Sequence, residues 1–580
     1  MSLDGDVDVF GYFRDVLIQK IQTLWQEENY IPETLLQKII VGAPAQSQHG
    51  DVYTNAALIL GKFKKMNPMD IASALRDSLI GVSGVQSVTV ASPGFVNISC
   101  LPSVWHGVIK GINKLGRDYG RVNVGNGTKV NVEFVSANPT GPMHIGHARG
   151  AVLGDVLSNL LEWVGYDVTR EYYINDAGSQ IQTLVSSVLL RYREALGEEI
   201  TIGDGMYPGE YLKPIAENLV KEYGKTLLDS TDKEEIIRTF TLEYILGLIK
   251  DDLGRMGVKH DVFISEYKLQ RENVIEECVA SLKRKGVIYN GSLEKPKGIE
   301  DNEEWKQRVQ MLFRSTDFGD DSDRALQKED GTWTYFAGDI GYHFNKITRG
   351  FDRMVIVLGF DHKGYVSRIK AAVNALSDGK STIDAKLYNM VNFLENGVPV
   401  KMSKRRGEFL TVRDVIDEVG KDVTRFMMLT RKNDAVLDFD FAKAREESKD
   451  SPIFYIQYAH ARVRSIVRNC PKILPIEEVD FSKASTEHEL SLARLLSMWP
   501  EVVRSSSCNY EPHHITFYLM EVAEAFHTLW SYGNRDVNMR FIVEGDIHTT
   551  SARLYIAMAT AIVIASGLTI FSITPVEEMR

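Results

Sequence analysis

The 580-residue sequence predicts an α/β protein: a doubly wound parallel-sheet domain with a helical insertion, preceded by a small α+β domain and followed by an all-α bundle. Three observations carry this. The β-rich run KVNVEFVSA (129–137) breaks at Asn138-Pro139-Thr140-Gly141-Pro142 into a strongly helical pattern, and DVTREYYI then reads as a second strand. Strand, tight turn, helix and strand form a βαβ unit, which demands a parallel sheet. A mainly helical, charged stretch over 183–312 separates this unit from new strand signals at TWTYFAGDI and MVIVLGF. From Pro452 to the end, helical periodicity dominates and strand signals are few.

Taken in order, residues 1–122 read as the α+β unit, with an amphipathic helix over Val7–Glu28 and strands in SVTVAS and GFVNISC around Pro93-Gly94. The Gly125-Asn126-Gly127 turn marks its end. Residues 123–375 hold the doubly wound, Rossmann-type domain with the insertion at 183–312. In its first helix Val152, Val156, Leu160 and Trp163 share one face, and Gly165 closes it. Residues 376–450 form a connecting region, and 451–580 the helical bundle.

A formal net charge of -11 argues against a general polyanion binder, so any nucleic-acid contact must use local basic patches. The four cysteines, Cys100, Cys278, Cys470 and Cys508, are too scattered for a disulfide framework or a CxxC-type zinc site, and read as buried thiols in a reducing compartment. The acidic start MSLDGDVDVF lacks the basic and apolar regions of a secretory signal, so a cytoplasmic location is expected. Leu554–Ile573 carries no charge and is long enough to span a bilayer. Its many Ala, Ser, Thr and Gly residues favour a buried bundle helix over a membrane anchor.

Two segments can carry chemistry. Pro142-Met143-His144-Ile145-Gly146-His147 stands at the mouth of a helix, where backbone N–H groups and the dipole favour anions. Gly146 leaves room for a flat base or ribose, and two imidazoles can donate to phosphate oxygens. A pair of surface histidines is the plain alternative. Metal binding is the weaker reading, because no third or fourth ligand is evident, and no protein-held metal is expected. The second segment, Lys401-Met402-Ser403-Lys404-Arg405-Arg406-Gly407, packs four cations into six residues on a predicted loop that can close over a triphosphate. Alone it could be a solvated basic loop. The pairing decides for function, since both segments converge at the carboxyl edge of a doubly wound sheet. Asp378-Gly379-Lys380-Ser381-Thr382 resembles the end of a phosphate-binding Walker loop, but Asn374 stands where its first glycine belongs.

HIGH at 144–147 and KMSK at 401–404, in this order, resemble the two signatures of class I aminoacyl-tRNA synthetases. VEFVSANPTGPMHIGHARG, YYINDAG, YPGEYL, GDIGYHFNK, GFDHKGYVSRIKAA, FYIQYAHARV and PVEEM narrow the resemblance to the arginine subfamily from residue 131 onward. HGDVYTNAAL and SPGFVN resemble its additional N-terminal tRNA-binding domain. Many bacterial relatives lack a full KMSK, which this chain has.

The resemblance implies activation of L-arginine by Mg2+-bound ATP and transfer to the 3' end of tRNA(Arg). It implies that free arginine and ATP react little without tRNA. It also implies an anticodon-binding bundle, and we expect a monomer that does not engage membranes. By the same resemblance, His144 and His147 hold the ATP phosphates, Gly146 packs by the adenosine, and Lys404, helped by Lys401 and beside Met402, stabilises the leaving pyrophosphate. Asp361 and His362 line the ribose and substrate side. Glu133, Asn138, Tyr335 and Asp339 match arginine-binding positions, the last two in a segment, YFAGD, that reads as a strand. For both carboxylates the alternative is a strand-end cap or pairing with a nearby Lys or Arg. Phe95 and Asn97 match positions that contact the tRNA D-loop, although Phe95 could equally be core. Two other readings are a smaller HIGH-type nucleotidyltransferase, which has no use for a bundle after KMSK, and a tRNA-binding paralogue without catalysis, against which the intact motifs count.

Overall fold

The computed structural model describes residues 7–25, 31–44, 46–293, 308–400, 410–448 and 450–579. Its first part is the expected α+β unit. The helix Val9–Leu24 buries Val9, Phe10, Phe13 and Leu17 at helical spacing. Four antiparallel strands pair in the order Val41–Gly42, Val52–Thr54, Phe95–Cys100, Val85–Ala91. Phe95 lies on an inner strand, half-buried with its ring 6.1 Å from Tyr53, and Asn97 is buried two residues on. The helix Pro102–Leu115 then leads this unit onto the bundle. Asn113 donates to the Tyr555 carbonyl at 2.9 Å, the Tyr119 hydroxyl to Leu496 at 2.9 Å, and the Trp499 indole back to Tyr119 at 3.2 Å.

The central sheet has five parallel strands: β1 (Lys129–Glu133), β2 (Asp167–Ile174), β3 (Val262–Ser265), β4 (Arg353–Gly359) and β5 (Thr382–Tyr388), in the spatial order β5-β4-β1-β2-β3. Helix α1 (Ala148–Trp163) crosses from β1 to β2, and α4 (Val366–Ser377) crosses from β4 to β5 on the other side. The winding therefore reverses between β1 and β4, and such a switch point opens a crevice at the carboxyl ends of the strands. Nearly every residue of α1 is buried, because helix and sheet approach closely. Gly154 permits that approach: a Cβ there would stand 2.1 Å from the Phe134 ring. Gly154→Ala is expected to destabilise the fold by about 1–3 kcal/mol through overpacking, read as a lower urea midpoint at unchanged slope.

Three expectations need correction. The stretch 183–312 is mostly helical, including α2 (Lys233–Arg255), but it also supplies β3, the edge of the main sheet, and strands Ile288–Gly291 and Gln310–Phe313 of a small antiparallel sheet. TWTYFAGDI is not a strand. Tyr335 opens helix α3 (Tyr335–Thr348), which Thr334 caps by accepting from Ala337 N at 3.2 Å, while Phe336, Ala337, Ile340 and His343 form its buried face. The aromatic, β-branched composition outweighed a helical period that becomes legible only with the cap. Of the cysteines, Cys100 and Cys278 are buried, but Cys470 is partly accessible and Cys508 exposed.

After β5, strand Val391–Glu395 pairs with Val398–Pro399 and, in parallel, with Leu437–Asp440. Helices α5 (Val412–Val419) and α6 (Lys421–Met428) stand between them in sequence. The bundle includes α7 (Pro452–Asn469), α8 (His513–Arg535) and α9 (Ile547–Ile570). The long uncharged segment forms most of α9. It is largely enclosed by its neighbours, as its mild hydrophobicity suggested, and remains long and apolar enough to meet the criterion for a membrane span.

Candidate active site

The site is built at the β1/β4 switch point. Beyond Glu133 the chain turns through Val135 (φ 69°) and Ser136 (φ 41°), two adjacent residues in the left-handed region. That conformation is costly for a β-branched side chain and is held by surrounding bonds. Ser136 Oγ donates to Glu133 at 3.2 Å and accepts from Tyr173 N at 3.1 Å; the Tyr172 hydroxyl donates to Ala137 O at 2.8 Å. The chain then reaches His144, which opens a short 3-10 turn over Ile145–His147 before α1. His144 Nδ1 accepts from Gly146 N at 3.1 Å, and the two imidazoles lie 3.9 Å apart. Burial, reinforced by the neighbouring His144, lowers His147 to about 4, so it is neutral near pH 7 and serves as a polar partner rather than a cation.

Lys401, Met402 and Lys404 lie outside the described residues, but both flanks of their segment are inside. Val400 N donates to Phe393 O at 2.8 Å. Beyond the segment, Ile145 N donates to Leu410 O at 3.0 Å and Val412 N to Met143 O at 3.1 Å, with His144 and Thr411 paired as an antiparallel bridge. The exit of the lysine segment is thus fastened to the HIGH turn itself. Arg149, which the sequence reading passed over, ties the same turn to the connecting region. Its buried guanidinium donates to the carbonyls of Asn389 (2.9 Å), Ala435 (2.7 Å) and Lys432 (3.0 Å). From β4, Gly359 leads into the turn Phe360–Tyr365, where Asp361 and His362 stand exposed, 3.5 Å apart.

Around the carboxyl end of β1 lies a cluster rich in carboxylates and tyrosines. Glu133 is paired with Lys346 of α3 at 2.5 Å, the kind of partner the pairing alternative names. Lys346 is fully buried and also lies 3.7 Å from Glu171, which binds Arg349 (2.6 Å), Tyr342 (2.6 Å) and Asn131 (3.0 Å). Asp339 differs. Burial raises its carboxyl to about 7; a hydrogen bond from Tyr365 opposes this, while Glu266 and Glu133 push further up and Arg368 compensates only weakly. Glu266, hydrogen-bonded to Tyr173, is itself raised by burial. Among the described residues the cluster therefore has more anionic capacity than cations to neutralise it, the complement of a cationic ligand. Tyr335 lies one helical turn before Asp339, 82% exposed with Lys328 above its ring at 5.6 Å, at the open end of that face. Asn138 is exposed and donates to Gln180 at 3.0 Å.

Glu133, Asp339 and the HIGH turn are thus brought to one sheet edge. Phe95 and Asn97 belong to the separate N-terminal sheet. Tyr173, Glu266, Tyr342, Lys346 and Tyr365 complete the cluster without having been singled out. All but Glu266 lie inside the motifs YYINDAG, GDIGYHFNK and GFDHKGYVSRIKAA, whereas Glu266 follows the unrecognised strand β3.

Comparison with known proteins gives the same architecture. Residues 13–100 match the arginyl tRNA synthetase N-terminal domain, 112–465 the catalytic domain of tRNA synthetases class I (R), and 456–579 the DALR anticodon binding domain. The chain is 70% identical over 581 residues to the arginine–tRNA ligase of Anaplasma phagocytophilum, covering 100% of both chains. It is 66% identical to that of Anaplasma marginale, again with full coverage of both. The arginyl-tRNA synthetase structure from Thermus thermophilus shares its fold, at 18% identity and a TM-score of 0.74, over 98% of this chain and 100% of that one. The chain belongs to the class I arginyl-tRNA synthetase family.

Proposed function

We propose that Asp339 and Glu133 read the guanidinium of arginine, while His144, Gly146, His147 and the lysine segment hold Mg2+-bound ATP beside it. The overall reaction is that of the family: ATP-dependent activation of arginine and its transfer to tRNA. In the first step the arginine carboxylate attacks the α-phosphorus in line and pyrophosphate leaves. In the second a ribose hydroxyl of the terminal adenosine attacks the adenylate carbonyl and AMP leaves. Neither step needs a protein nucleophile, so positioning and charge neutralisation supply most of the acceleration. Mg2+ enters as the counter-ion of the ATP substrate. Asp361 and His362 are assigned to the ribose and substrate side, Asn138 and Tyr335 to arginine, and Phe95 and Asn97 to the D-loop.

The observation that carries this reading is the acidic cluster, under-compensated among the described residues, at the carboxyl end of β1, the strand that leads to the HIGH turn. Arginine offers a planar, permanently charged fork with five donors, which paired carboxylate oxygens match. A groove of about 610 Å³ in the bundle is assigned to one or two bases of the anticodon loop. Arg462 lies over Tyr458 (4.2 Å) and Trp530 (4.9 Å), and Arg468 and Arg540 line the same groove, so flat bases and phosphates both find partners there. The protein is proposed to act as a cytoplasmic monomer, with α9 a core helix rather than an anchor.

ATP–pyrophosphate exchange over all twenty amino acids, with tRNA present, tests the reading. Arginine alone should drive exchange, and omission of tRNA should nearly abolish it. Better exchange with another amino acid would refute the specificity, and full exchange without tRNA would refute the dependence.

A further inference from the structure

Arg425, on α6, is fully buried, and its guanidinium is divided among three separate parts of the fold. Nε donates to the Phe571 carbonyl at 2.6 Å, Nη1 to the Met256 carbonyl at 3.0 Å, and Nη2 to the carboxylate of Asp155. Phe571 and Met256 are the C-terminal caps of α9 and α2, and Asp155 belongs to α1. One cation thus meets the carbonyl-rich ends of two helices, where positive charge is favoured, and a carboxylate from a third. Further bonds surround it. Asn159 of α1 donates to the Ile570 carbonyl and to Ser572 Oγ, both at 2.9 Å, and accepts from Arg170 of β2 at 2.8 Å. Lys421 donates to the Ser572 carbonyl at 3.3 Å.

Each helix that meets here leads to a working part. Helix α1 begins at the HIGH turn. One turn before Met256, Asp252 of α2 accepts from Arg413 at 2.9 Å and from the backbone of Met143, which are the flanks of the lysine segment and of HIGH. Helix α9 belongs to the part matched by the anticodon binding domain. A buried ion pair is weak evidence for stability, because desolvation offsets its attraction. With each of its three nitrogens bonded to a different helix, however, the guanidinium admits few geometries and resists displacement.

We infer that Arg425 is a positioning residue that registers α1 against the end of α9, so that tRNA held by the bundle sets the placement of His144 and His147 at the ATP site. This rests on the reading of the chain as a tRNA ligase. Arg425→Lys keeps the charge and loses the fork. Asn159→Ala trims the rim and leaves Arg425 and Asp155 in place.

The test compares steady-state arginylation of full-length tRNA(Arg) with that of a minihelix of its acceptor and T arms, which cannot reach the bundle groove. Arg425→Lys should lower kcat on the full-length tRNA by about tenfold or more, and Asn159→Ala by about threefold. KM for that tRNA, and the rate on the minihelix, should stay within about twofold. Parallel losses on both RNAs, or no loss on either, would overturn the coupling role. Should Arg425→Lys fail to fold, judged by its circular-dichroism melt, the same ratio for Asn159→Ala decides. If the unaltered enzyme does not charge tRNA with arginine, the functional reading itself falls, a result seen before any variant is compared.

Discussion

Replacing Lys404 by alanine is expected to slow adenylate formation by about 100-fold or more, while ATP binds nearly as well as before. The split follows from when the charge is needed. On the proposed reading the triphosphate arrives with Mg2+ at the HIGH turn; as the bond to pyrophosphate breaks, negative charge accumulates on the leaving group and a lysine at that point becomes worth far more. The bonds around the segment make such timing feasible. Its exit is fixed to the HIGH turn through Leu410, Thr411 and Val412, and Thr411 caps α5 in a reciprocal capping box with Asp414. Arg413 adds an ion pair to Asp252 at 2.9 Å. The described residues on either side are thus held, Leu410 and Val412 by bonds to the HIGH turn and Val400 by its bond to Phe393 on the strand Val391–Glu395. Single-turnover adenylate formation measured alongside ATP binding checks the prediction. Equal losses in both would assign Lys404 to ground-state binding instead.

What the sequence revealed of this site, and what it hid, has a common physical cause. Motifs that use local backbone geometry were legible, because strand, turn and helix mouth are written in consecutive residues: β1 and α1 lie in the order the pattern put them, although β1 ends at Glu133 and the chain already turns at Val135 and Ser136, before Asn138. The pairing of Glu133 with Lys346 was not, since it joins residues far apart in sequence on a strand and on a helix read as a strand. Misreading YFAGD as a strand also hid why Tyr335, Asp339, His343 and Lys346 belong together. On a helix their spacing places them along one side, and His343 Nδ1 indeed meets the Asp339 carbonyl at 2.8 Å. Strand β3 was lost for another reason. Four residues between charged helices carry too little periodicity to register, and the pairing with β2 that makes Val262–Ser265 a strand is invisible locally. The Arg425 junction is the extreme case, because its partners come from three other helices and no consecutive run of residues carries its signature.

Asp339→Asn is expected to weaken the use of arginine by about 10- to 200-fold, the equivalent of one charge-assisted bond of roughly 1.5 to 3 kcal/mol, with little change in KM for ATP. Asp339 is singled out over Glu133 because the charge of Glu133 is already engaged by buried Lys346, so Glu133→Gln would also disturb the Lys346–Glu171 cluster and lower stability. Among the described residues Asp339 has no comparable cation, Arg368 compensating only weakly. Its raised value, about 7, gives a second and independent readout. A guanidinium binds the ionised carboxylate, so arginine binding must release the proton held at lower pH, and KM for arginine should rise as pH falls below about 7, by up to about tenfold per pH unit. The linkage to folding has the opposite sense: because the folded value lies above the ordinary carboxylate value, the stability this group contributes is present in full below about 4 and is lost as pH rises through about 7. Arginine, by pairing with the anion, should therefore raise the melting temperature more at pH 8 than at pH 6. Asp339→Asn should remove the pH dependence of KM together with the affinity. A variant that kept native arginine kinetics, or that lost affinity yet retained the same pH profile, would show that another group reads the substrate. Lysine should remain a poor substrate of the unaltered enzyme throughout this range, because a compact ammonium cannot span the acceptors that a planar fork reaches.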